Sequence, residues 1–127
     1  MSNYTRLWTW HVAAGLILIV LLGLHMFGMH LNDLFHFESF NPEGGSPIDW
    51  ANVAARGRSL GFAVTYVLLL GAALFHGFYG LRNIVLELGP GAAVKRALGW
   101  VLILAGLALF VLGTWAAWTG HLVASAA

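Results

Sequence analysis

Long apolar runs and shorter polar stretches alternate along this chain, which begins and ends close to an apolar run. The apolar runs predict three helices, at residues 7–31, 59–88 and 95–120. A helix rises ~1.5 Å per residue and the hydrocarbon core of a bilayer is ~30 Å thick, so each run is long enough to cross a membrane. The pattern predicts an all-α integral membrane protein, with residues 1–127 forming a single domain of three transmembrane helices.

The two polar stretches predict the connections between these helices. Residues 32–58 form the longer loop, in which a turn-forming cluster at 41–47 precedes a short interfacial helix from Asp49 to Arg58. Pro90 lies between two glycines and predicts the second turn. The first helix has no small-residue cleavage site and exceeds signal-peptide length. This favours a retained transmembrane helix over the alternative of a signal peptide.

The charged residues predict the orientation of the chain in the membrane. Four basic residues flank the helix ends on one side, namely Arg6, Arg82, Lys95 and Arg96. The longer loop holds two basic residues but also four acidic ones, Asp33, Glu38, Glu43 and Asp49. By the positive-inside rule, the amino terminus is cytoplasmic, while the loop at 32–58 and the carboxyl terminus are outside. We expect a multi-pass protein of the cell inner or plasma membrane.

The amino-acid composition limits which cofactors and partners are expected. The chain is 60% hydrophobic, only 9% charged and has no cysteine. Without cysteine it cannot carry a disulfide, a cysteine-ligated iron–sulfur cluster or a thiolate-ligated haem. The formal net charge of +1 provides no basic patch, so nucleic acid is not an expected partner. The expected surroundings are the lipid bilayer and other membrane subunits.

Two histidines lie inside the apolar runs, where an ionisable group is costly and usually functional. Counting from Leu7, His25 is roughly 27 Å along the first helix, towards the outer surface. Counting from Leu60, His76 is roughly 24 Å along the second helix and therefore nearer the cytoplasm. The two rings are then roughly 15 Å apart along the membrane normal, too far apart to ligate one iron. Each could serve a different metal centre.

The residues around His76 favour a porphyrin over a bare metal ion. Arg82 follows towards the inner surface, where a haem propionate would need a cation, although it could instead contact a lipid phosphate. No acidic residue lies within the apolar core of a helix to complete a bare-ion site. Small residues clear one face of the second helix for a flat macrocycle, or else permit tight helix packing. They are Gly71, Ala72, Ala73, Gly77 and Gly80.

Two motifs carry a resemblance to a known family. They are Gly15-Leu16 followed by Leu24-His25-Met26-Phe27, and Phe75-His76-Gly77 followed by Gly80-Leu81-Arg82 and Gly89. Together they resemble the haem-bearing helices of the two-haem cytochrome b membrane anchors of complex II. That family comprises succinate:quinone oxidoreductases and quinol:fumarate reductases. The resemblance covers the first two helices and the start of the third.

The resemblance implies two haem b groups, each with two axial histidines and each shared with a second membrane anchor subunit. It implies His76 as an iron ligand of the proximal, cytoplasmic-side haem and His25 as a ligand of the distal haem. An iron–sulfur subunit and a flavoprotein subunit of complex II would be further partners. The chain would then be a non-catalytic electron-transfer subunit. It would pass electrons between the iron–sulfur clusters and membrane menaquinone or ubiquinone without itself oxidising succinate.

One departure from the family concerns the quinone. Single-haem relatives carry an acidic residue and often a tyrosine after the second-helix histidine, where this chain has Glu87 and Leu88. The inner quinone pocket is therefore not recognisable in the sequence. Quinone could instead bind near the distal haem and the first loop, with residues of the partner chain.

Alternative interpretations stay open for the other histidines. His11 lies fourteen residues before His25, on the same helix face and roughly 21 Å away. It could be an axial ligand, as in b-type cytochromes of other respiratory complexes, it could approach the haem of His76, or it could contact a propionate or headgroup. His30 is interfacial or touches the distal haem or a quinone carbonyl. Besides the complex II anchor and the b-type cytochrome of another respiratory complex, a third hypothesis is that the histidines serve packing and the chain is a haem-free membrane scaffold.

Overall fold

The computed structural model describes residues 3–31 and 41–126. It contains four helices, α1 (Asn3–His30), α2 (Trp50–Gly57), α3 (Leu60–Glu87) and α4 (Ala92–Ala126), and the described residues form no strand. Three of them, α1, α3 and α4, are long and apolar enough to cross a bilayer. The prediction of an all-α membrane protein with three spanning helices is confirmed. Asp33 and Glu38, which contributed to the predicted orientation, lie outside the described residues.

The helices differ in length from the apolar runs. α1 begins at Asn3 rather than at residue 7, and α4 extends from Ala92 to Ala126 rather than over 95–120. Hydrophobic runs mark only the part of a helix that lies in hydrocarbon, whereas backbone hydrogen bonding continues into the polar flanks. α3 ends where Gly89 adopts a positive φ of 67° and its N–H donates to the Leu86 carbonyl. Glycine adopts this left-handed conformation without the steric cost of a side chain.

The middle helix α3 organises the three spans. It packs against both α1 and α4, while α1 and α4 do not pack against each other within the described part of the chain. Aromatic rings of one helix fill the space above glycines of the other. A Cβ on Gly71 would lie 3.2 Å from the Phe110 ring, and a Cβ on Gly106 would lie 3.2 Å from the Phe78 ring. Small residues let α3 and α4 approach closely in this way.

A cap, here defined as residues 41–59, covers one end of the spans and includes α2. Asn52 is completely buried and organises it. Its side-chain amide donates hydrogen bonds to the carbonyls of Gly44 (2.7 Å) and Ser46 (3.0 Å), while its Oδ1 accepts one from the Glu43 N–H (3.0 Å). The buried Arg56 donates to the Pro47 carbonyl at 2.7 Å. The short helix predicted between Asp49 and Arg58 is thus present.

The cap is also joined to the end of α4. Arg58 Nε donates to the Ala124 carbonyl at 3.1 Å, and His121 Nδ1 lies 2.8 Å from the Gly57 carbonyl, to which it donates. Gly57 is close enough to α4 that a Cβ there would lie 3.1 Å from the Cβ of Ala124. These contacts tie the connection between α1 and α3 to the carboxyl-terminal end of α4.

Replacing His121 with leucine is expected to loosen the cap. The Gly57 carbonyl would lose its side-chain donor, which costs about 1 kcal/mol and raises the population of the open cap about fivefold. Hydrogen exchange of the α2 amides measures this directly. Leu122→Ala, at an exposed neighbouring position, serves as the control and should leave the exchange unchanged. Equal protection of α2 in both variants would contradict the prediction.

Candidate functional site

The structure brings His11 of α1 against His76 of α3. Their ring centroids are 4.1 Å apart and the ring planes differ by only 7°, so the two imidazoles are stacked face to face. From the sequence, an approach of His11 to the haem of His76 was one of several open roles for His11. The contact follows from the antiparallel packing of α1 and α3, which sets the first half of one helix beside the second half of the other.

A hydrogen bond determines which nitrogen of His76 is available. His76 Nδ1 lies 3.0 Å from the backbone carbonyl oxygen of His11. A carbonyl oxygen only accepts hydrogen bonds, so Nδ1 is the donor, and in the neutral imidazole Nε2 then keeps its lone pair. This is the tautomer in which metal-ligating histidines are usually held, with one nitrogen hydrogen-bonded to a carbonyl and the other free to ligate. The ligation of iron by His76 stays a prediction, and this hydrogen bond is compatible with it.

Glycines make the room for these two rings. A Cβ on Gly15 would lie 2.9 Å from His76 Cε1, and a Cβ on Gly80 would lie 3.3 Å from His11 Cε1. Gly80, which the sequence analysis placed on an open porphyrin face, lies against the His11 ring. The Phe110 ring fills the space beside Gly71 in the same way, whereas nothing lies within 4 Å of a Cβ on Gly77. Two of the five small residues on this face, Gly71 and Gly80, therefore serve helix packing.

Tyr79 completes the cluster and was not identified from the sequence. It is only 9% exposed, and its ring lies 5.1 Å from the His11 ring and 5.8 Å from the Phe75 ring. Its hydroxyl is buried without a hydrogen-bond partner among the described residues, as is Nδ1 of His11. Buried polar groups normally have partners, so these two atoms point to a missing one. A tyrosine one helical turn after a buried histidine was the available signal.

Two cavities lie beside the cluster on different sides of α3. One, of about 540 Å³, lies between α3 and α4 and has Tyr79 and Arg82 among largely apolar walls. The other is an open groove of about 680 Å³ along α1, lined by His11, Gly15 and His76 among others. Arg82 lines the first cavity and not the groove that contains His76.

His25 lies apart from His76 and contacts a different ring of α3. Its ring meets the Tyr66 ring edge to face, at a centroid distance of 6.0 Å and an interplanar angle of 80°. Tyr66 precedes His76 by ten residues on α3, roughly 15 Å along the helix axis. His25 and Tyr66 line a cavity of about 310 Å³ with Ser59 and Thr65. The structure thus separates His25 from His76. His30 lies exposed at the end of α1.

The fold and these sites define a multi-pass integral membrane protein with histidines held between its spanning helices. The chain is 30% identical over 106 residues to the succinate dehydrogenase hydrophobic membrane anchor subunit of Archaeoglobus fulgidus, which covers 84% of this chain and 81% of the relative. It belongs to the family of succinate dehydrogenase hydrophobic membrane anchor subunits. No protein-family model matches it, and no solved structure gives a significant match. The relative confirms the resemblance to complex II membrane anchors, while the two haems and the quinone stay predictions.

Proposed function

We propose that this chain is a haem b-binding anchor subunit of a succinate dehydrogenase or fumarate reductase, and that it passes electrons between an iron–sulfur subunit and membrane quinone. The observation that carries the proposal is the His76 imidazole, whose Nδ1 donates a hydrogen bond to the His11 carbonyl. A haem, when bound, supplies a one-electron carrier within the membrane. The chain supplies an oriented ligand, an apolar environment and attachment to the bilayer.

The stacked rings support one of two roles for His11. The two axial ligands of one haem approach the iron from opposite faces of the porphyrin, so a porphyrin must fit between them. Rings 4.1 Å apart and nearly parallel leave no room for it. His11 therefore supports His76 instead of opposing it, and the opposite ligand comes from a second membrane anchor subunit. The iron–sulfur subunit and the flavoprotein subunit would dock at the cytoplasmic surface.

His25 is the proposed ligand of a second, distal haem. It lies roughly 15 Å from His76 along α3 and beside a cavity of its own, so the two histidines can bind two different groups. His25 makes no hydrogen bond to the described residues, which leaves both ring nitrogens available. His30 is a weaker candidate because it is exposed at the end of α1.

The cavity between α3 and α4 is the proposed quinone site. A quinone presents two carbonyl acceptors on an apolar ring, and this cavity has largely apolar walls with Tyr79 and Arg82 among its lining residues. The Tyr79 hydroxyl has no partner among the described residues, and a quinone carbonyl would provide one. Arg82, which the sequence predicts to contact a haem propionate or a lipid phosphate, lines this cavity. Menaquinone and ubiquinone both have the required chemistry.

Purification of the complex from membranes tests the proposal. We expect the chain to co-purify with a second membrane subunit, an iron–sulfur protein and a flavoprotein, and the complex to show reduced b-type haem bands and succinate-dependent quinone reduction. Co-purification with the same partners but without haem bands would favour the haem-free scaffold. Haem bands in a complex without succinate activity would favour a b-type cytochrome of another respiratory complex.

Tyr79→Phe tests the quinone cavity. Loss of one hydrogen bond to the quinone costs about 0.5–1.5 kcal/mol, so quinone reduction at low quinone concentration should fall about 2- to 12-fold through a raised KM. Succinate oxidation with a water-soluble dye, which bypasses the membrane subunits, should stay unchanged. Tyr4→Phe removes an exposed hydroxyl from α1 and is the control. An unchanged quinone KM in the Tyr79 variant would exclude this site.

A further inference from the structure

We propose that Gly15 and the backbone carbonyl of His11 are positioning residues for His76, which together hold its imidazole in the ligating tautomer. The inference rests on the haem ligation proposed for His76. Contacts with α1 set which ring nitrogen of His76 can ligate, before any haem is bound. The consequences can therefore be measured both in the haem-free chain and in the assembled complex.

Three contacts confine the His76 ring. The His11 ring covers one face of it at a centroid distance of 4.1 Å. The His11 carbonyl accepts the Nδ1 proton at a distance of 3.0 Å. Gly15 lies directly beside the edge that contains Cε1 and Nδ1, since a Cβ there would be 2.9 Å from Cε1 and 3.1 Å from Nδ1. Any side chain at position 15 would occupy space that the imidazole fills.

The His76 imidazole cannot easily move aside for a methyl group at position 15. Real Cβ atoms essentially never approach another heavy atom as closely as 2.9 Å, so the ring would have to move. The far end of a flexible side chain could move away from the new methyl group, but the His76 ring is held by stacking and by a hydrogen bond. Displacement would lengthen the bond from Nδ1 to the His11 carbonyl and release the constraint on the tautomer. Gly15→Ala should thus act on the hydrogen bond rather than on the iron directly.

The hydrogen bond also affects the bound group. An Nδ1–H that donates to a carbonyl makes the other ring nitrogen a more basic ligand. A more basic ligand favours the ferric over the ferrous state, so the bond lowers the reduction potential of the haem that His76 ligates. Weakening the bond should raise that potential. The tautomer of His76, measured without haem, separates this effect from a change in packing alone.

Gly23 provides a matched control on the same helix. It lies eight residues after Gly15, and nothing is within 4 Å of a Cβ placed on it. Gly15→Ala and Gly23→Ala therefore make the same change in helix propensity and side-chain volume. Only the first introduces a close contact with His76. A difference between them reports the contact and not the general effect of alanine in α1.

The experiment compares both variants with the unmodified protein in two states. In the full chain, labelled with ¹⁵N-histidine and reconstituted in bilayers without haem, the His76 nitrogen shifts should show protonation at Nδ1. Gly15→Ala should lose that preference, while Gly23→Ala should keep it. In the assembled complex, Gly15→Ala should raise the potential of one haem and weaken its binding about tenfold or more. An unchanged tautomer and an unchanged potential in Gly15→Ala would overturn the proposal.

His11→Ala provides a second variant in case Gly15→Ala does not assemble. It removes the stacked ring but keeps the backbone carbonyl, so the Nδ1 proton of His76 should stay in place. Loss of that tautomer in His11→Ala would contradict the role of the carbonyl. Failure of the proposed function has a different signature, because a haem-free complex with Nδ1-protonated His76 would remove haem ligation and leave the positioning by α1 intact.

Discussion

Replacing His76 with leucine should remove one haem from the assembled complex and leave the other in place. Leucine retains the apolar volume but offers no ligand, and the partner's histidine alone does not hold a haem with two axial ligands. We expect the b-type absorbance per flavin to fall by about half, and electron transfer to quinone to fall with it. Succinate oxidation with a water-soluble dye should persist, because the chemistry of succinate occurs on other subunits.

Three further histidine variants make this measurement specific. His25→Leu should also lose about half of the haem, but with a different spectrum and potential for the haem that remains. His30→Leu, at an exposed position at the end of α1, should keep both. His11→Leu should keep the iron ligand but alter the potential of the haem on His76, because it changes a supporting contact. Retention of both haems by the His76 variant would refute the assignment of the ligand.

Asn52→Leu should release the cap from the end of the bundle. The substitution leaves the Glu43 N–H and the carbonyls of Gly44 and Ser46 without their partner, in a place where Asn52 is completely buried. Glu43, Gly44 and Ser46 are exposed residues whose freed groups can bind water, so each lost hydrogen bond costs about 0.5–1.5 kcal/mol. With all three bonds lost, we expect the cap to open locally while the spanning helices stay folded.

Limited proteolysis of sealed vesicles and hydrogen exchange measure the opening of the cap. Residues 41–49 should become cleavable and the α2 amides should lose protection, while haem content stays unchanged. The control is Val53→Ala, because Val53 neighbours Asn52 but is 40% exposed. The proteolysis also tests the orientation, since cleavage only from the side opposite the catalytic subunits agrees with the positive-inside prediction. Equal protection of the cap in both variants would show that Asn52 does not organise it.

The spanning helices and the separation of His25 from His76 could be predicted from the sequence. The length of an apolar run can be read from the sequence directly, because it does not depend on contacts between distant residues. A rise of about 1.5 Å per residue then converts the position of a residue in the helix into its depth in the membrane. The same rise placed the two histidines at different levels without knowledge of any contact. Helix ends were less accurate, since α1 begins before its predicted run and α4 extends beyond both ends of its own.

The tertiary structure alone decided which side chains meet. His11 could be placed on the face of His25, but its stacking on His76 depends on the rotation and register of α1 against α3, which the hydrophobic pattern does not encode. The same applies to Arg82, which lines the cavity between α3 and α4, and to Asn52, whose partners come from turns of the cap. Because lipid solvates all apolar faces alike, hydropathy determines how many helices span the membrane, whereas close contacts at glycines determine how they pack.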